Sequence, residues 1–412
     1  MREAFLSAAR LHRHWLVAAL FLSAAAQAQS LAPRALFIDD RGTELFDTEG
    51  AEGGIRAGSF DVRAAAGLSF GMDSNVYALP EAGDADRVAT GEALIRAVNE
   101  SPTRDMLGMA FVRARRFDEA RDQDATEFGV LGRYDGWIGS QDRIVTGISA
   151  EHGIESRNDI ETPTTLALSP YDDIRGSFSY AHLFNRFQLE SRVDARRLQY
   201  DAASQEYRDR SQYRAELRGA YQMRSDMSWV VTGYFNRDDF DDPTPNTLSA
   251  GTAGALVGLH VDVNELLELE IGAGYFNREY DDLDDPLDGF SFRGSLTWHP
   301  TRLTSVRAQV LRTDAPTHVE GAFGKVRNDA LLRITHEYSR NLVLHAGMRF
   351  IADDFETIDR LDTSWLAELG ANWAFGRHSV LRFTYDYGTR DHDDAGRSFD
   401  RHVASLAYIM RL

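Results

Sequence analysis

Tyr213-Arg214-Ala215-Glu216-Leu217-Arg218-Gly219-Ala220-Tyr221-Gln222-Met223 alternates residue by residue. Tyr213, Ala215, Leu217, Gly219, Tyr221 and Met223 fall on one face, and Arg214, Glu216, Arg218 and Gln222 on the other. A period of two is a β-strand with one apolar side. The charged side is too dense for a dry core. Apolar outside with charge inside inverts a soluble sandwich and describes a strand of a membrane-spanning β-barrel. Leu217 is therefore expected to face lipid and Arg218 the lumen. Replacing Leu217 with Arg should block assembly, and replacing Arg218 with Ala should leave assembly intact and alter selectivity.

The same rhythm runs from about Ser59 to the end of the chain. Tight turns are predicted near Ser101-Pro102, Gly139-Ser140, Asn185-Arg186, Ser225-Asp226, Asn264-Glu265, Pro300-Thr301, Arg340-Asn341 and Gly376-Arg377. The alternate connections are longer: 79–86, 117–123, 155–170, 201–210, 240–247, 281–288, 314–325, 355–362 and 389–398. Short turns on one side and long loops on the other is the asymmetry of outer-membrane barrels, whose turns are periplasmic. The fold expected is all-β: a transmembrane antiparallel up-and-down barrel of about 18 strands, within a range of about 16–18. An even count places both termini in the periplasm of a Gram-negative cell.

The ends agree with export. Arg2, Arg10 and Arg13, the apolar run Trp15 to Leu22 and the small-x-small Ala26-Gln27-Ala28 read as a signal peptide over 1–28. Residues 29–57 read as a periplasmic lead-in segment and 58–412 as the barrel. No later stretch reaches the roughly 18 apolar residues of a transmembrane helix. The absence of cysteine excludes a disulfide scaffold and a thiolate metal site. A net charge of −19 argues against nucleic-acid binding. Basic charge is carried almost wholly by arginine, and Lys325 is the one lysine. Arginine stays charged and pairs bidentately with carboxylates, which suits a lumen lattice.

Amphipathic rings collect at membrane–water interfaces. Trp137, Trp298 and Trp373 stand just before turns and Trp229 just after one, with Tyr338, Phe184 and Phe187 at others. They are expected to form the periplasmic girdle, and Tyr171, Tyr200, Phe240, Tyr280, Phe290 and Tyr387 the outer one. The last stretch also alternates, with Ala404, Leu406, Tyr408, Met410 and Leu412 on one face.

Alternation sends many charges inward. Arg113 and Arg115 point inward together. So do Glu190, Arg192 and Asp194, and Arg214, Glu216 and Arg218. Glu268, Glu270, Arg293, Arg307, Arg333, Arg349 and Arg382 follow on later strands, with Asp329, Glu337 and Asp386 as further acids. Turning such an arginine to lipid would cost roughly 2–4 kcal/mol at mid-membrane. These side chains either line a hydrophilic conduit or pair across neighbouring strands and stiffen the wall. The loops are acidic, as in Asp238-Asp239-Phe240-Asp241-Asp242, Asp281-Asp282-Leu283-Asp284-Asp285 and Asp391-His392-Asp393-Asp394, but none has calcium-loop spacing. No catalytic motif stands in the chain. No enzyme activity, cofactor or metal is expected. The partners expected are outer-membrane lipids and lipopolysaccharide, and the barrel-insertion machinery.

Gly67-Leu68-Ser69-Phe70-Gly71-Met72-Asp73-Ser74-Asn75-Val76-Tyr77 resembles the opening strand of the β-barrel porin 2 family, in which an apolar strand runs into an Asp–Asn–aliphatic–aromatic stretch. Here Ser74 intervenes between Asp73 and Asn75, and Val76 and Tyr77 complete the motif. Asp and Asn at a strand end suit a tight turn with local backbone hydrogen bonds, so a structural role accounts for them. The resemblance implies an outer-membrane barrel of the kind often encoded with exopolysaccharide assembly systems, exporting a polysaccharide with a periplasmic partner. A general or solute-selective porin and a plugged surface-binding barrel stay open as alternatives.

Overall fold

The computed structural model describes residues 54–80, 83–162, 167–244, 247–263, 266–392 and 398–411. The expected signal peptide, nearly all of the lead-in, Asn264-Glu265, Asp393-Asp394 and Leu412 lie outside them. The strands are β1 (Ile55–Ala57), β2 (Phe60–Asp73), β3 (Asp86–Ser101), β4 (Arg104–Phe117), β5 (Ala125–Ile138), β6 (Asp142–Ile154), β7 (Pro170–Leu183), β8 (Phe187–Tyr200), β9 (Arg210–Arg224), β10 (Met227–Phe240), β11 (Ala250–Val263), β12 (Leu267–Tyr280), β13 (Leu283–Thr301), β14 (Thr304–Ala315), β15 (Lys325–Ser339), β16 (Leu342–Phe355), β17 (Arg360–Gly376), β18 (Ser379–Asp391) and β19 (Phe399–Arg411).

From β2 onward each strand pairs antiparallel with the next. β19 returns to β2, from Val403 opposite Asp73 to Arg411 opposite Ala65, and closes the sheet on itself. Closure leaves no unpaired edge for lipid to meet, which a spanning sheet requires. β1 folds back on the start of β2 as a three-residue hairpin. The wall therefore has 18 strands, β2 to β19, and both of its ends emerge at the same rim. That rim carries the short turns; the opposite rim carries the loops.

Two connections differ from the expected ones. The hairpin expected to turn at Pro300-Thr301 closes two residues later, because a bulge between Trp298 and Thr301 absorbs the proline and Thr301 pairs with Thr304. Pro lacks an N–H, and a bulge is where a ladder tolerates it. The loop expected over 281–288 is mostly strand. β13 starts at Leu283, and Leu287 lies buried against Phe276 and Tyr280. Burying these apolar side chains outweighs the poor strand propensity of the acidic run.

The faces follow the alternation. Leu217 is 54 % exposed toward the exterior, while Arg218 next to it is buried inside. Trp229, Trp298 and Trp373 are exposed outward near the turn rim, as are Phe184, Phe187 and Tyr338. Trp137 is the exception. It shares the inward register of Arg133 and Asp135, and the Arg143 guanidinium lies 6.0 Å from its ring centre. The outer girdle is also thinner than expected. Tyr200, Phe240 and Tyr280 are buried inside, under Arg208, Arg210 and Arg278 at 4.2, 5.5 and 5.5 Å. Tyr171 turns inward beside Tyr200. Height on the strand suggested the interface; parity decides the face, and these four have inward parity. Phe290 and Tyr387 do face outward.

Candidate conduit in the barrel lumen

Among the described residues, the half of the lumen along β8 to β14 is occupied by side chains. Arg278 is 1 % exposed and bridges Asp238 on β10 and Asp314 on β14, at 2.8 and 3.0 Å. Thr252 donates to the same Asp314 at 2.6 Å. Around them Tyr234, Leu256, Phe276, Tyr280, Leu287 and Val326 form an apolar cluster inside the barrel. Nearer the turn rim Arg218 on β9 reaches Glu270 on β12 at 2.8 Å, and His260 stands 3.4 Å from the same carboxylate. Glu216 is held by Arg214 at 2.8 Å and approached by Arg293 on β13 at 3.6 Å. Arg192 and Asp194 pair at 2.7 Å along β8, and Glu190 lies opposite Arg218 in the ladder. Glu268 shares the inward register of Glu270, and Arg307 lies directly opposite Arg333 between β14 and β15.

The other half, β2 to β5 with β15 to β19, keeps a cavity of about 320 Å³. Its walls carry Arg113, Arg115, Arg333, Arg349, Arg382 and Asp386 from the expected set. Most of its ion pairs lie between neighbouring strands. Arg113 lies 3.7 Å from Glu92 and 3.9 Å from Glu127. Arg349 donates to Asp329 at 2.9 Å, Arg382 to Asn372 at 2.9 Å, and His345 meets Glu368 at 3.1 Å. The longer 4.0 Å approach of Arg382 to Glu92 crosses the seam.

Residues 155–162, expected as an ordinary loop, fold into the barrel mouth and cross it. Glu155 and Arg157 anchor this strap near its origin, through Arg208 Nη1 at 3.0 Å and Gln123 at 3.0 Å. Its tip reaches the far wall. The carbonyls of Asn158 and Asp159 accept from Ser364 and Arg390, and Ile160 packs with Ala322, Ile351 and Phe355. Glu161 ends on Lys325 at 3.0 Å. Glu155, Ser156, Arg157 and Asn158 form part of the cavity's lining. Nothing in the loop's composition announces this. The partners of its tip sit more than 150 residues away in the chain, although the isolation of Lys325 among arginines is a visible signal.

The opening motif fastens the seam. Asp73 is buried, accepts from Arg401 Nε at 3.0 Å and from the Asn75 amide at 3.1 Å. The Asn75 side chain donates to the carbonyls of Leu79 and Asp400, at 2.8 and 3.1 Å. Val76 is buried with Phe117 and Ala120. The Tyr77 hydroxyl donates to Asp122 at 2.7 Å and holds that carboxyl below its ordinary value. A resemblance to an opening strand is thus a tie between the first strand, the last strand and the next loop. On the exterior, His152, Asp172 and Asp201 bring three possible metal-ligand atoms within 4.8 Å of one another, with a 2.8 Å His152–Asp172 contact that a hydrogen bond alone explains.

A closed 18-strand wall with this seam motif matches one family description, "Putative beta-barrel porin 2", over residues 49–411. The chain belongs to the β-barrel porin 2 family. This makes it a porin-like outer-membrane barrel. No curated protein matches the sequence. Among solved structures it is similar in fold to OccAB4 of Acinetobacter baumannii (9% identity, TM-score 0.42, covering 85% of this chain and 98% of that one). It is similar also to Pseudomonas aeruginosa OpdK with vanillate (8%, 0.43, 85% and 99%). A third is the copper transporter OprC (10%, 0.45, 87% and 82%).

Proposed function

We propose that this porin is a passive conduit for exopolysaccharide crossing the outer membrane, oriented with its turns and both termini in the periplasm. The observation that carries the reading is the cavity under the strap, whose lining includes arginines and carboxylates from the walls on either side of the seam. Such rows offer successive hydrogen-bonding sites to sugar hydroxyls, each weak enough in water for a polymer to move on. No catalytic group, cofactor or metal enters the reading. Lipopolysaccharide, the insertion machinery and a periplasmic export protein are its proposed partners.

A second reading, a solute-selective diffusion porin, draws support from the cavity's size. About 320 Å³ is at the low end of small-molecule pockets, which run roughly 300–1,000 Å³. Single-channel conductance in a planar bilayer, with and without residues 29–57, tests both. A steady conductance that added polysaccharide blocks supports export; one that only monosaccharides block supports the second reading. Silence in both forms overturns the conduit and leaves a structural or surface-binding barrel.

A further inference from the structure

The tip of the strap ends in a pocket that it neutralises. Glu161 Oε1 takes Lys325 Nζ at 3.0 Å and the Thr317 hydroxyl at 2.5 Å, and Oε2 takes His318 Nδ1 at 3.2 Å. The planar pair of oxygens is thus gripped from both sides by an ammonium, a hydroxyl and an imidazole. Behind them Asp353 pairs with Lys325 at 2.8 Å and with Arg327 Nε at 2.7 Å. Lys325 and Arg327 outnumber Asp353 by one positive charge on the wall, and the strap sets Glu161 against it, with Asp159 acting on Arg327 from the same strap. Burial pushes the Glu161 carboxyl upward, but Lys325 and His318 overcome this and hold it well below its ordinary value. Lys325, Arg327 and Asp353 are all buried. Lifting Glu161 out without a substitute would strand a buried cation, which is strongly unfavourable.

We propose that this pocket on the far wall is a carboxylate-binding site occupied in cis by Glu161, and that a carboxylate-bearing solute displaces the strap by taking its place. The proposal rests on the conduit reading for its purpose, because residues that line the cavity belong to the strap. Its chemistry rests on the pocket alone. The incoming carboxylate restores the charge balance that Glu161 removes on leaving, so an acid releases the strap where a neutral sugar cannot.

The absence of cysteine makes the test direct. Ile160 is 2 % exposed on the strapped wall. The full chain carrying Ile160→Cys, in vesicles, is labelled with a membrane-impermeant maleimide in sodium glucuronate, or in glucose with sodium chloride at matched ionic strength. Labelling is expected to rise several-fold in glucuronate and to stay at its basal rate in glucose. Adding Glu161→Gln should raise the basal rate. Adding Lys325→Met should raise it and abolish the response to glucuronate. A second variant joins Asn158→Cys to Gly388→Cys, whose added Cβ would lie 3.1 Å from Asn158 Cγ. A sulfur placed near the Asn158 Cγ position would therefore be within reach of one carried on that Cβ, as an S–S bond of about 2.05 Å requires. Oxidised, it should lose glucuronate-stimulated conductance and regain it on reduction. Equal labelling in glucuronate and glucose, or a response surviving Lys325→Met, overturns the proposal even if the barrel conducts. Glucuronate-dependent labelling in a barrel that never conducts keeps the pocket and overturns the conduit.

Discussion

The two halves of the lumen use the same residue types and reach opposite results. Along β9 to β14 the ion pairs are chords: Arg218 to Glu270 skips two strands, Arg293 to Glu216 three, and Arg278 ties β12 to both β10 and β14. Along β15 to β19 and β2 to β5 the pairs of Arg349, His345, Arg401 and Arg113 run between adjacent strands, and the chord from Arg382 to Glu92 is stretched to 4.0 Å. Chords fill the interior, while neighbour pairs line it. The difference is made by what alternates with the charges. In the filled half Tyr234, Leu256 and Phe276 stand in the inward register and exclude water from the pairs. In the hollow half that register holds Gly67, Ser69, Thr90 and Thr384, which leave room. Inward charge alone therefore does not make a pore; small neighbours do.

The sharpest way to break this comparison is Arg278→Ala. It removes the guanidinium shared by the buried carboxylates Asp238 and Asp314, an expected loss of about 3–5 kcal/mol that urea unfolding of the folded barrel would report. Next comes Leu217→Arg on the outer face, expected to cost about 2–4 kcal/mol at mid-membrane and to abolish the heat-modifiable folded band on gels. Arg218→Ala is the revealing intermediate. Sequence alone predicts a harmless change in selectivity, but Arg218 is buried on Glu270, so the structure predicts a destabilised barrel with little change in permeation. Arg113→Gln in the hollow half should shift the reversal potential under a salt gradient, with a smaller loss of stability than Arg218→Ala because its contacts to Glu92 and Glu127 are longer. If Arg113→Gln and Arg218→Ala behave alike, the halves do not differ energetically. The smallest effect concerns pH. Glu161 titrates below its ordinary value when folded, so its contribution is complete above that value and fades only as pH falls through the lower one. Labelling of Ile160→Cys in the absence of glucuronate, divided by the rate of a free thiol at the same pH, should be flat from about pH 7 to about pH 5 and rise only in stronger acid.

Strand number, pairing order and the lipid-facing stripe were legible because a barrel wall is a local code. Tyr213 to Met223 shows both faces within eleven residues. The inward placement of Arg214, Arg293 or Arg382 follows from the same parity. Trp137 near a turn and Tyr200, Phe240 and Tyr280 near the loops have the height of girdle residues, but their parity turns them inward. Arg278 was missed although it continues the register of Glu268 and Glu270. The strap was beyond reach for another reason. Glu161 meets Thr317, His318 and Lys325 only once the wall has closed, and no periodicity links a loop to the opposite side of a ring.

From β2 to β18 each strand is joined to its successor by a turn or loop; β2 and β19 alone meet as strangers, at opposite ends of the wall. Considered as a hoop, the barrel has one buckle. Its tongue is Asp73 and Asn75, gripped by Arg401 and by the backbone at Asp400, with Ser74 exchanging hydrogen bonds with the His402 backbone. The chain cannot fasten it until the last strand has arrived, so this short motif, written near the start of the barrel, acts last. Under lateral tension the buckle is also where the hoop would part, because nothing covalent spans it.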